Sequence, residues 1–217
     1  MTGPGAAAEA PRRHLSERQA EIVDRLVAAA EDEVEERGYP TISVRTIARR
    51  AGVAPATAYT YFSSKDHLLA EVLWRRMRAL PPSLVDLDRP VAERVADVVR
   101  EMGLGTVDSP AAVAACTAAL LGAGLDVKRV REHIGTEIHR RLQAALGPSA
   151  DPAVLRVLEV TYIGAMLSAG LDHLEFAELP GRLAEAAALL TGEPVPVGAT
   201  APSGSAVTGA VMGSERR

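Results

Sequence analysis

The chain has 217 residues, of which 47% are hydrophobic and 3% aromatic, and its formal net charge at pH 7 is −4. This composition excludes general disorder and allows a sizeable core built mainly from Leu, Val and Ala. The single cysteine, Cys116, excludes a disulfide framework within one chain. Neither a bilayer-spanning apolar run nor a signal peptide is recognisable, so we expect a soluble cytoplasmic protein with no membrane contact.

The chain begins with a stretch rich in Ala, Gly and Pro, residues 1–14, which we expect to be a disordered arm carrying Arg12 and Arg13. Helical periodicity then extends from Ser16 to Arg37. An acidic run late in this helix is interpreted as a solvated face. The run comprises Glu31, Asp32, Glu33, Glu35 and Glu36.

The segment from Ser43 to Lys65 predicts two short helices joined by a tight turn. Ser43 is suited to cap the first helix, and Gly52 tolerates the left-handed backbone of the turn. Pro55 suits the first turn of the second helix. The segment contains four basic residues and no acidic one, and a basic helix pair of this kind is typical of a helix-turn-helix that meets a DNA backbone and groove. The basic residues are Arg45, Arg49, Arg50 and Lys65.

The remaining chain shows helical periodicity without the alternation typical of strands, so the fold is predicted to be all-α. A long helix is expected to run from Lys65 to Leu80. The tail, residues 193–217, is rich in Pro, Gly, Ser and Ala, and we expect it to be disordered. The other predicted helices cover residues 91–104, 111–121, 127–146, 152–174 and 176–190.

The run GYPTISVRTIARRAGVAPATAYTYFSSKDHLL, residues 38–69, closely resembles the DNA-binding domain of TetR-family transcriptional regulators. The matching positions are Ile47-Ala48, Ala51-Gly52-Val53, Tyr59, Tyr61-Phe62 and Lys65.

The resemblance implies about nine helices in two domains. A three-helix helix-turn-helix head at 15–64 would be joined, through the long fourth helix, to a helical ligand-binding and dimerisation domain at 65–192. Three positions depart from the family's pattern. Glu33 stands where leucine is usual, Val34 where phenylalanine is common, and Ala58 where a larger leucine is common.

Ten residues are predicted to contact double-stranded DNA. In proteins that this chain resembles, the position of Arg45 often reaches a phosphate or a guanine edge. Thr57 and Thr60 would face bases, whereas Tyr61 and Lys65 would hold phosphate. The four cations are expected to outweigh the acidic body because screening limits its reach to about 8 Å. The predicted contacts are Ser43, Arg45, Ala54, Pro55, Ala56, Thr57, Tyr59, Thr60, Tyr61 and Lys65.

A single short recognition helix covers few base pairs, so we expect a homodimer on a pseudo-palindromic operator. Small and apolar residues in the last two helices predict its interface, an ordinary intramolecular core being the alternative. The predicted interface residues are Ile163, Gly164, Leu167, Ser168, Leu171, Leu183, Ala187 and Leu190.

The resemblance also implies a pocket for a small-molecule effector among the middle helices. Its expected lining is apolar with a few hydroxyls, which favours a hydrophobic effector over a sugar or a phosphate. Metal-ligand spacing is absent, so neither a metal nor a cofactor is expected, and Cys116 is interpreted as a buried apolar residue. The predicted lining comprises Trp74, Met77, Met102, Cys116, Thr117, Leu120, Leu121, Ile134, Ile138, Tyr162 and Met166.

Together these patterns predict a sequence-specific transcriptional regulator, a repressor released by a small, mostly apolar effector. Two alternatives remain open: an architectural helical DNA binder without effector control, and a small helical enzyme. The chain lacks the common catalytic motifs, so no enzymatic activity is expected.

Overall fold

The computed structural model describes residues 17–106, 110–171 and 173–195. The predicted arm at 1–14, with Arg12 and Arg13, and the tail beyond residue 195 lie outside the described residues. The described residues form nine α-helices and one 3-10 turn (Phe176–Glu178), which confirms the all-α prediction. The helices are α1 (Glu17–Arg37), α2 (Val44–Arg50), α3 (Pro55–Tyr61), α4 (Lys65–Ala79), α5 (Val91–Thr106), α6 (Pro110–Leu120), α7 (Leu125–Leu146), α8 (Pro152–Gly170) and α9 (Leu179–Thr191).

Local sequence signals set most helix boundaries. The hydroxyl of Ser64 accepts a hydrogen bond from the His67 backbone and caps α4, and the Asp151 carboxylate caps α8 in the same way. Gly192 ends α9 in the left-handed conformation at φ 74°. Two predicted helices are wrong in extent. Helix α8 ends at Gly170, short of the predicted residue 174. Residues 176–178 form a 3-10 turn, and α9 begins only at Leu179, because Pro180 suits the first turn of a new helix.

Two hydrophobic cores organise the helices. The first is shared by α1 to α4 and is centred on Leu26, Ile47 and Leu68, none of which has any exposed surface. Ala115 and Ala119 of α6 also reach into it. Helix α6 therefore contacts both the N-terminal head and the larger helical body.

The second core lies among α4, α5, α7, α8 and α9 and includes the fully buried Met102, Leu142 and Leu158. A separate small cluster pairs α5 with α9 through the side chains of Ala92, Ala184 and Ala188. Small residues at this contact allow the two helix backbones to approach closely.

Glu193 closes the contact between α5 and α9. Its carboxylate accepts hydrogen bonds from the backbone N–H groups of Val91 (3.0 Å) and Ala92 (3.2 Å), at the first turn of α5. These are N–H groups that a helix cannot satisfy internally. The prediction that disorder begins at residue 193 is therefore wrong for Glu193 itself.

Arg141 fixes the connection between α4 and α5 against α7. Its side chain is 1% exposed, and it bonds to Glu137 at 2.7 Å. Its other nitrogens donate to the Ser83 hydroxyl (3.1 Å) and to the carbonyls of Leu80 (3.2 Å) and Pro81 (3.1 Å). Since four of the five N–H donors of the guanidinium are used, the C-terminal end of α4 is firmly attached to the body.

Candidate functional site

The turn between α2 and α3 has the geometry of a helix-turn-helix. Ser43 caps α2 by accepting from the Thr46 N–H, and the Thr46 hydroxyl accepts from the Ser43 N–H in return. Gly52 follows α2 at φ 64°, a conformation that strains residues with a side chain. Val53 is 8% exposed and fills the angle between the helices, and Pro55 opens α3. The predicted roles of these residues in the turn are confirmed.

Helix α3 presents a surface of small side chains and hydroxyls. Ala54, Pro55, Ala56 and Thr60 are exposed, whereas Thr57 and Tyr61 are half-buried. Tyr59 has 47% of its surface exposed. The inner face of the helix is closed by Ala58 and Phe62, at 0% and 3% exposure. Ala58 thus fits the core without the larger leucine, and the outer face allows a close approach to another surface.

The basic residues of this segment differ in their availability. Arg45 and Arg49 are exposed, and among the described residues neither has an acidic partner. The Arg50 guanidinium instead lies against α1, with Nε 3.2 Å from Asp32 and Nη1 3.3 Å from Glu33. Its other nitrogen bonds to Glu36 and holds the pKa of that carboxyl below its usual value. Arg50 is therefore neutralised within the protein.

The interpretation of the acidic run as a solvated face is confirmed for Asp32, Glu35 and Glu36, which are exposed, and is wrong for the buried Glu33. Glu33 is 2% exposed and lies between Arg50 and Arg37, whose Nε is 3.5 Å from its second carboxylate oxygen. Glu31 pairs with Arg76 of α4 at 2.7 Å. The run attaches α1 to α2 and α4, and it replaces the apolar contact that the departure at Glu33 removes.

Lys65 is also engaged inside the head. Its ammonium donates to the Tyr39 carbonyl (2.8 Å) and lies 4.0 Å from the centre of the Tyr39 ring. The Tyr39 hydroxyl donates to Asp66 (2.7 Å); burial, followed by this bond, raises the Tyr39 pKa to about 12. An ammonium has three donors, so Lys65 could bind the Tyr39 carbonyl and a phosphate at the same time. Its contact with phosphate stays a prediction.

Comparison with known proteins identifies this arrangement. The family model for bacterial regulatory proteins of the tetR family matches residues 26–72, which include all of α2 and α3. An HTH-type transcriptional regulator of Mycobacterium tuberculosis (strain H37Rv) is 43% identical over 185 residues, 84% of each chain. The chain belongs to the TetR family. It is a helix-turn-helix transcriptional regulator, as the sequence predicts.

More distant TetR relatives agree with this result. The HTH-type transcriptional repressor KstR of Rhodococcus jostii is 26% identical over 187 residues, which cover 82% of this chain and 84% of that protein. The crystal structure of a TetR transcriptional regulator from Rhodococcus sp. RHA1 matches with a TM-score of 0.66 at 22% identity, over 80% of this chain and 97% of that chain. This structure has the same fold.

The body of the TetR chain contains a cavity of about 190 Å³ bounded by α4, α6, α7 and α8. Nine of the eleven residues predicted to line the effector pocket lie around it, namely Leu121, Ile134, Ile138 and six others. The six are Met77, Cys116, Thr117, Leu120, Tyr162 and Met166. Tyr162 and Met166 also line a neighbouring cavity of about 250 Å³ beside α5 and the 3-10 turn.

Two of the residues predicted to line the pocket lie outside this cavity. Met102 has no exposed surface and is packed into the second core, on the α5 side. Trp74 lies on the face of α4 turned toward His133 of α7, with ring centres 5.5 Å apart. Sequence reasoning also missed Arg131, which lines the cavity. Helical periodicity places Arg131 on the exposed face of α7. It reaches the cavity because the end of α6 packs beside it, and the sequence does not show this packing.

An exposed apolar stripe runs along α8. Val157, Val160, Ile163 and Leu171 have between 46% and 71% of their surface exposed, and the exposed Gly164 lies among them. The sequence analysis omitted Val157 and Val160, although the positions 157, 160, 164, 167 and 171 have the three-and-four spacing of a helix–helix contact. Among the described residues, α8 is the one helix long and apolar enough to cross a membrane. Of its most apolar 18-residue stretch, 17% is buried in the protein.

The predicted contribution of α9 to an interface is mostly wrong. Leu183 and Ala187 have no exposed surface and belong to the second core of their own chain. Leu190 is exposed at 38% and Leu189 at 69%. The Ala- and Leu-rich composition of α9 therefore reflects its packing on α5, and its outer end alone remains available. Gly170 similarly serves an internal contact, because a Cβ there would lie 2.8 Å from Thr117 of α6.

The turn between α6 and α7 connects the cavity to the head. Arg131 Nη1 donates to the carbonyls of Leu120 (2.5 Å) and Gly122 (3.4 Å), so α7 holds the end of α6. A Cβ on Gly122 would lie 3.2 Å from the Asp66 carboxylate of α4. The Ser63 hydroxyl donates to Asp126 of α7 at 2.8 Å. The chain segment that borders the cavity thus contacts the segment that follows α3.

Cys116 borders the cavity as a buried thiol, 7% exposed, whose pKa burial raises to about 12. We expect it to react with iodoacetamide at pH 8 far more slowly in the folded protein than in urea, because the thiolate is the reactive species. Mass spectrometry of time points with and without urea measures both rates. Equal rates would contradict the interpretation of Cys116 as an inert apolar residue.

Proposed function

We propose that this TetR-family protein is a homodimeric repressor that binds a pseudo-palindromic operator and leaves it when a small, mostly apolar molecule enters the body. The observation that carries the proposal is the juxtaposition of an exposed recognition surface on α3 with an apolar cavity connected to it through the α6–α7 turn. KstR, which is named a repressor, supports the sign of regulation. Membership of a family of regulators favours regulation over catalysis, and the proposed place of action is the cytoplasm.

The proposed DNA surface consists of α3 and the N-terminal end of α2. Arg45, without an acidic partner among the described residues, is assigned to a guanine edge or a phosphate. Thr57 is assigned to base edges and Tyr61 to phosphate. The Thr60 hydroxyl donates to the Ala56 carbonyl (3.1 Å), so its methyl group and its acceptor oxygen are what it offers a base. Ser43, Tyr59 and the exposed end of α3 at Ala54 and Pro55 complete this surface.

Two substitutions separate base readout from backbone contact. Arg45→Ala is expected to change which operator is preferred, with a loss of discrimination of about 1–3 kcal/mol at the contacted base pair. Tyr61→Phe removes only a hydroxyl, and it is expected to weaken binding to all duplexes about equally. Selection of bound sequences from random DNA, followed by fluorescence anisotropy at two salt concentrations, measures both effects. An Arg45→Ala protein with unchanged site preference would show that the readout role is wrong.

The proposed dimer uses the apolar stripe of α8. A second copy of the chain is its expected occupant, because a two-fold dimer brings the same apolar patch of each copy together. The exposed Ile163 and the half-buried Leu167 also line the cavity. A ligand that changes the positions of these two side chains therefore acts on the interface as well as on the head. Leu190 would extend the same interface from α9.

Ligand response is proposed to travel through the α6–α7 turn. An effector that is accommodated only when Leu120 and Leu121 move favours a different position of this turn, and the turn contacts Asp66 and Ser63. A coupling of about 1–3 kcal/mol is typical of such linked sites. The head at 15–64 and the body at 65–192 are proposed as the two units that move relative to each other.

An architectural DNA binder is the alternative, and the cavity argues for effector control instead. The two are distinguished by adding candidate apolar molecules to a complex with a selected palindromic duplex. Release of the duplex by a molecule that binds in the cavity supports the effector-controlled regulator. Binding that shows little sequence preference and no response to any such molecule favours the architectural function.

A further inference from the structure

The polar groups around the cavity are few and are all donors or neutral hydroxyls. The lining contains the Thr117 and Tyr162 hydroxyls and one charged side chain, Arg131; its other members are apolar or glycine. No carboxylate lies among them. The charge at this site is therefore a single guanidinium beside an otherwise apolar space.

Arg131 retains unused hydrogen-bonding capacity. Both of its bonds, to the Leu120 and Gly122 carbonyls, use the same nitrogen, Nη1. A guanidinium has five N–H donors, so those on Nε and Nη2 remain. Among the described residues no acidic group pairs with Arg131, although Asp126 and Glu132 pair with other basic residues of the same helix. Arg131 is itself an exposed residue, so these donors are open to a planar anion at the solvent side of the cavity.

Tyr162 offers a second donor from the other side of the lining. Its side chain is 5% exposed, and its hydroxyl forms no hydrogen bond to a described residue. Burial raises its pKa to about 12, so the hydroxyl keeps its proton at physiological pH. Since Tyr162 lines the cavity, its hydroxyl can donate to an acceptor atom on a bound molecule.

We propose that the cavity binds an amphipathic carboxylate, with its apolar part among Met77, Ile134 and Met166 and its carboxylate on Arg131. This inference rests on the proposed ligand response and names the chemical class of the effector. A space of about 190 Å³ accepts a group somewhat larger than benzene, which fits a cavity of about 150 Å³. A longer apolar chain would reach the neighbouring space of about 250 Å³ past Met166, whose unbranched side chain adjusts readily.

The same anion would act on the turn that Arg131 holds. A carboxylate on the free Nε and Nη2 donors attracts the guanidinium more strongly than the neutral carbonyls do, so a shift of the guanidinium toward the ligand lengthens the Nη1 bonds to Leu120 and Gly122. Gly122 lies against Asp66 at the start of α4. Binding of the ligand's carboxylate therefore loosens the contact between the body and the DNA-binding head. A neutral ligand leaves this contact in place.

Calorimetric titration of the full chain with octanoate and with 1-octanol tests the inference, since the two probes share an eight-carbon chain and differ in charge. Wild type is expected to bind octanoate at least about tenfold more tightly than 1-octanol. Arg131→Gln should remove this preference while leaving the affinity for 1-octanol unchanged, and Arg131→Lys should restore part of it. Lys128→Gln is the matched control, because Lys128 is an exposed cation of α7 that does not line the cavity.

Equal affinities of wild type for the two probes, a preference that survives in Arg131→Gln, or binding of neither probe would each overturn the inference. Operator release separates this failure from failure of the proposed function. If 1-octanol releases the duplex as well as octanoate does, ligand control stands and the role of Arg131 is wrong. If octanoate binds through Arg131 without releasing any selected duplex, the anion site stands and the proposed control of DNA binding is wrong.

Discussion

Replacement of Arg50 by methionine is expected to lower the melting temperature by about 10 °C. The reason lies in Glu33, which is 2% exposed and receives its hydrogen bond from Arg50. Its second oxygen has no hydrogen-bond partner, and Arg37 approaches it only to 3.5 Å. Removing Arg50 therefore leaves a buried carboxylate without its principal partner, which is far more costly than losing an exposed ion pair. Thermal unfolding followed by circular dichroism measures the change.

The double variant Glu33→Leu/Arg50→Met isolates this cause. Leucine is usual at position 33 in the family that the sequence resembles, and an apolar side chain needs no cation. We expect the double variant to recover most or all of the lost stability, since a buried ion pair and an apolar replacement are often similar in free energy. Arg49→Met is the matched control, because Arg49 is an exposed neighbour on the same helix. A double variant no more stable than Arg50→Met alone would contradict this account of Glu33.

The acidic run shows where sequence reasoning loses information. The sequence predicts that this acidic run lies in α1, and charge runs usually face solvent. Glu33 and Glu36, however, both bind Arg50, which lies 17 residues after Glu33 and 14 residues after Glu36. Local periodicity contains no information about such long-range pairs. Consequently the local charge of the helix-turn-helix is overestimated from sequence, because Arg50 is counted there although α1 neutralises it.

The helix-turn-helix itself was predictable because each of its signals acts within a few residues. Ser43 and Thr46 cap each other across one turn, and Gly52 adopts its φ of 64° through its own lack of a side chain. The cavity was only partly predictable for the opposite reason. An apolar residue such as Met102 carries the same pattern whether it faces a core or a hollow, and the packing of α5 against α9 decides which.

The interface prediction illustrates the same distinction. Leu183 and Val160 are both apolar residues of late helices, yet one is fully buried and the other 71% exposed. The residues on α8 with the three-and-four spacing remain outside the core because α8 lies at the edge of the body. The spacing of apolar residues therefore identifies an apolar helix face. Tertiary packing decides whether other helices of the same chain bury that face.

Replacement of Val160 by glutamate is expected to convert the proposed dimer into a monomer and to reduce operator affinity by more than about 100-fold. Val160 lies in the middle of the apolar stripe on α8, and it lies outside the lining of the cavity. A carboxylate placed there would be buried against its own symmetry mate, because a two-fold interface brings the same patch together twice. Each monomer would then bind a half-site without the gain from a linked second contact.

Leu84→Glu provides the matched control, since Leu84 is 96% exposed and belongs to the connection between α4 and α5 instead of to α8. We expect it to leave both the mass in solution and operator affinity unchanged. Light scattering at micromolar concentration gives the oligomeric state, and circular dichroism verifies that each variant is folded. A Val160→Glu protein that remains dimeric would place the interface elsewhere. One that becomes monomeric yet binds its operator undiminished would show that dimerisation does not determine recognition, because the head would then supply the affinity alone.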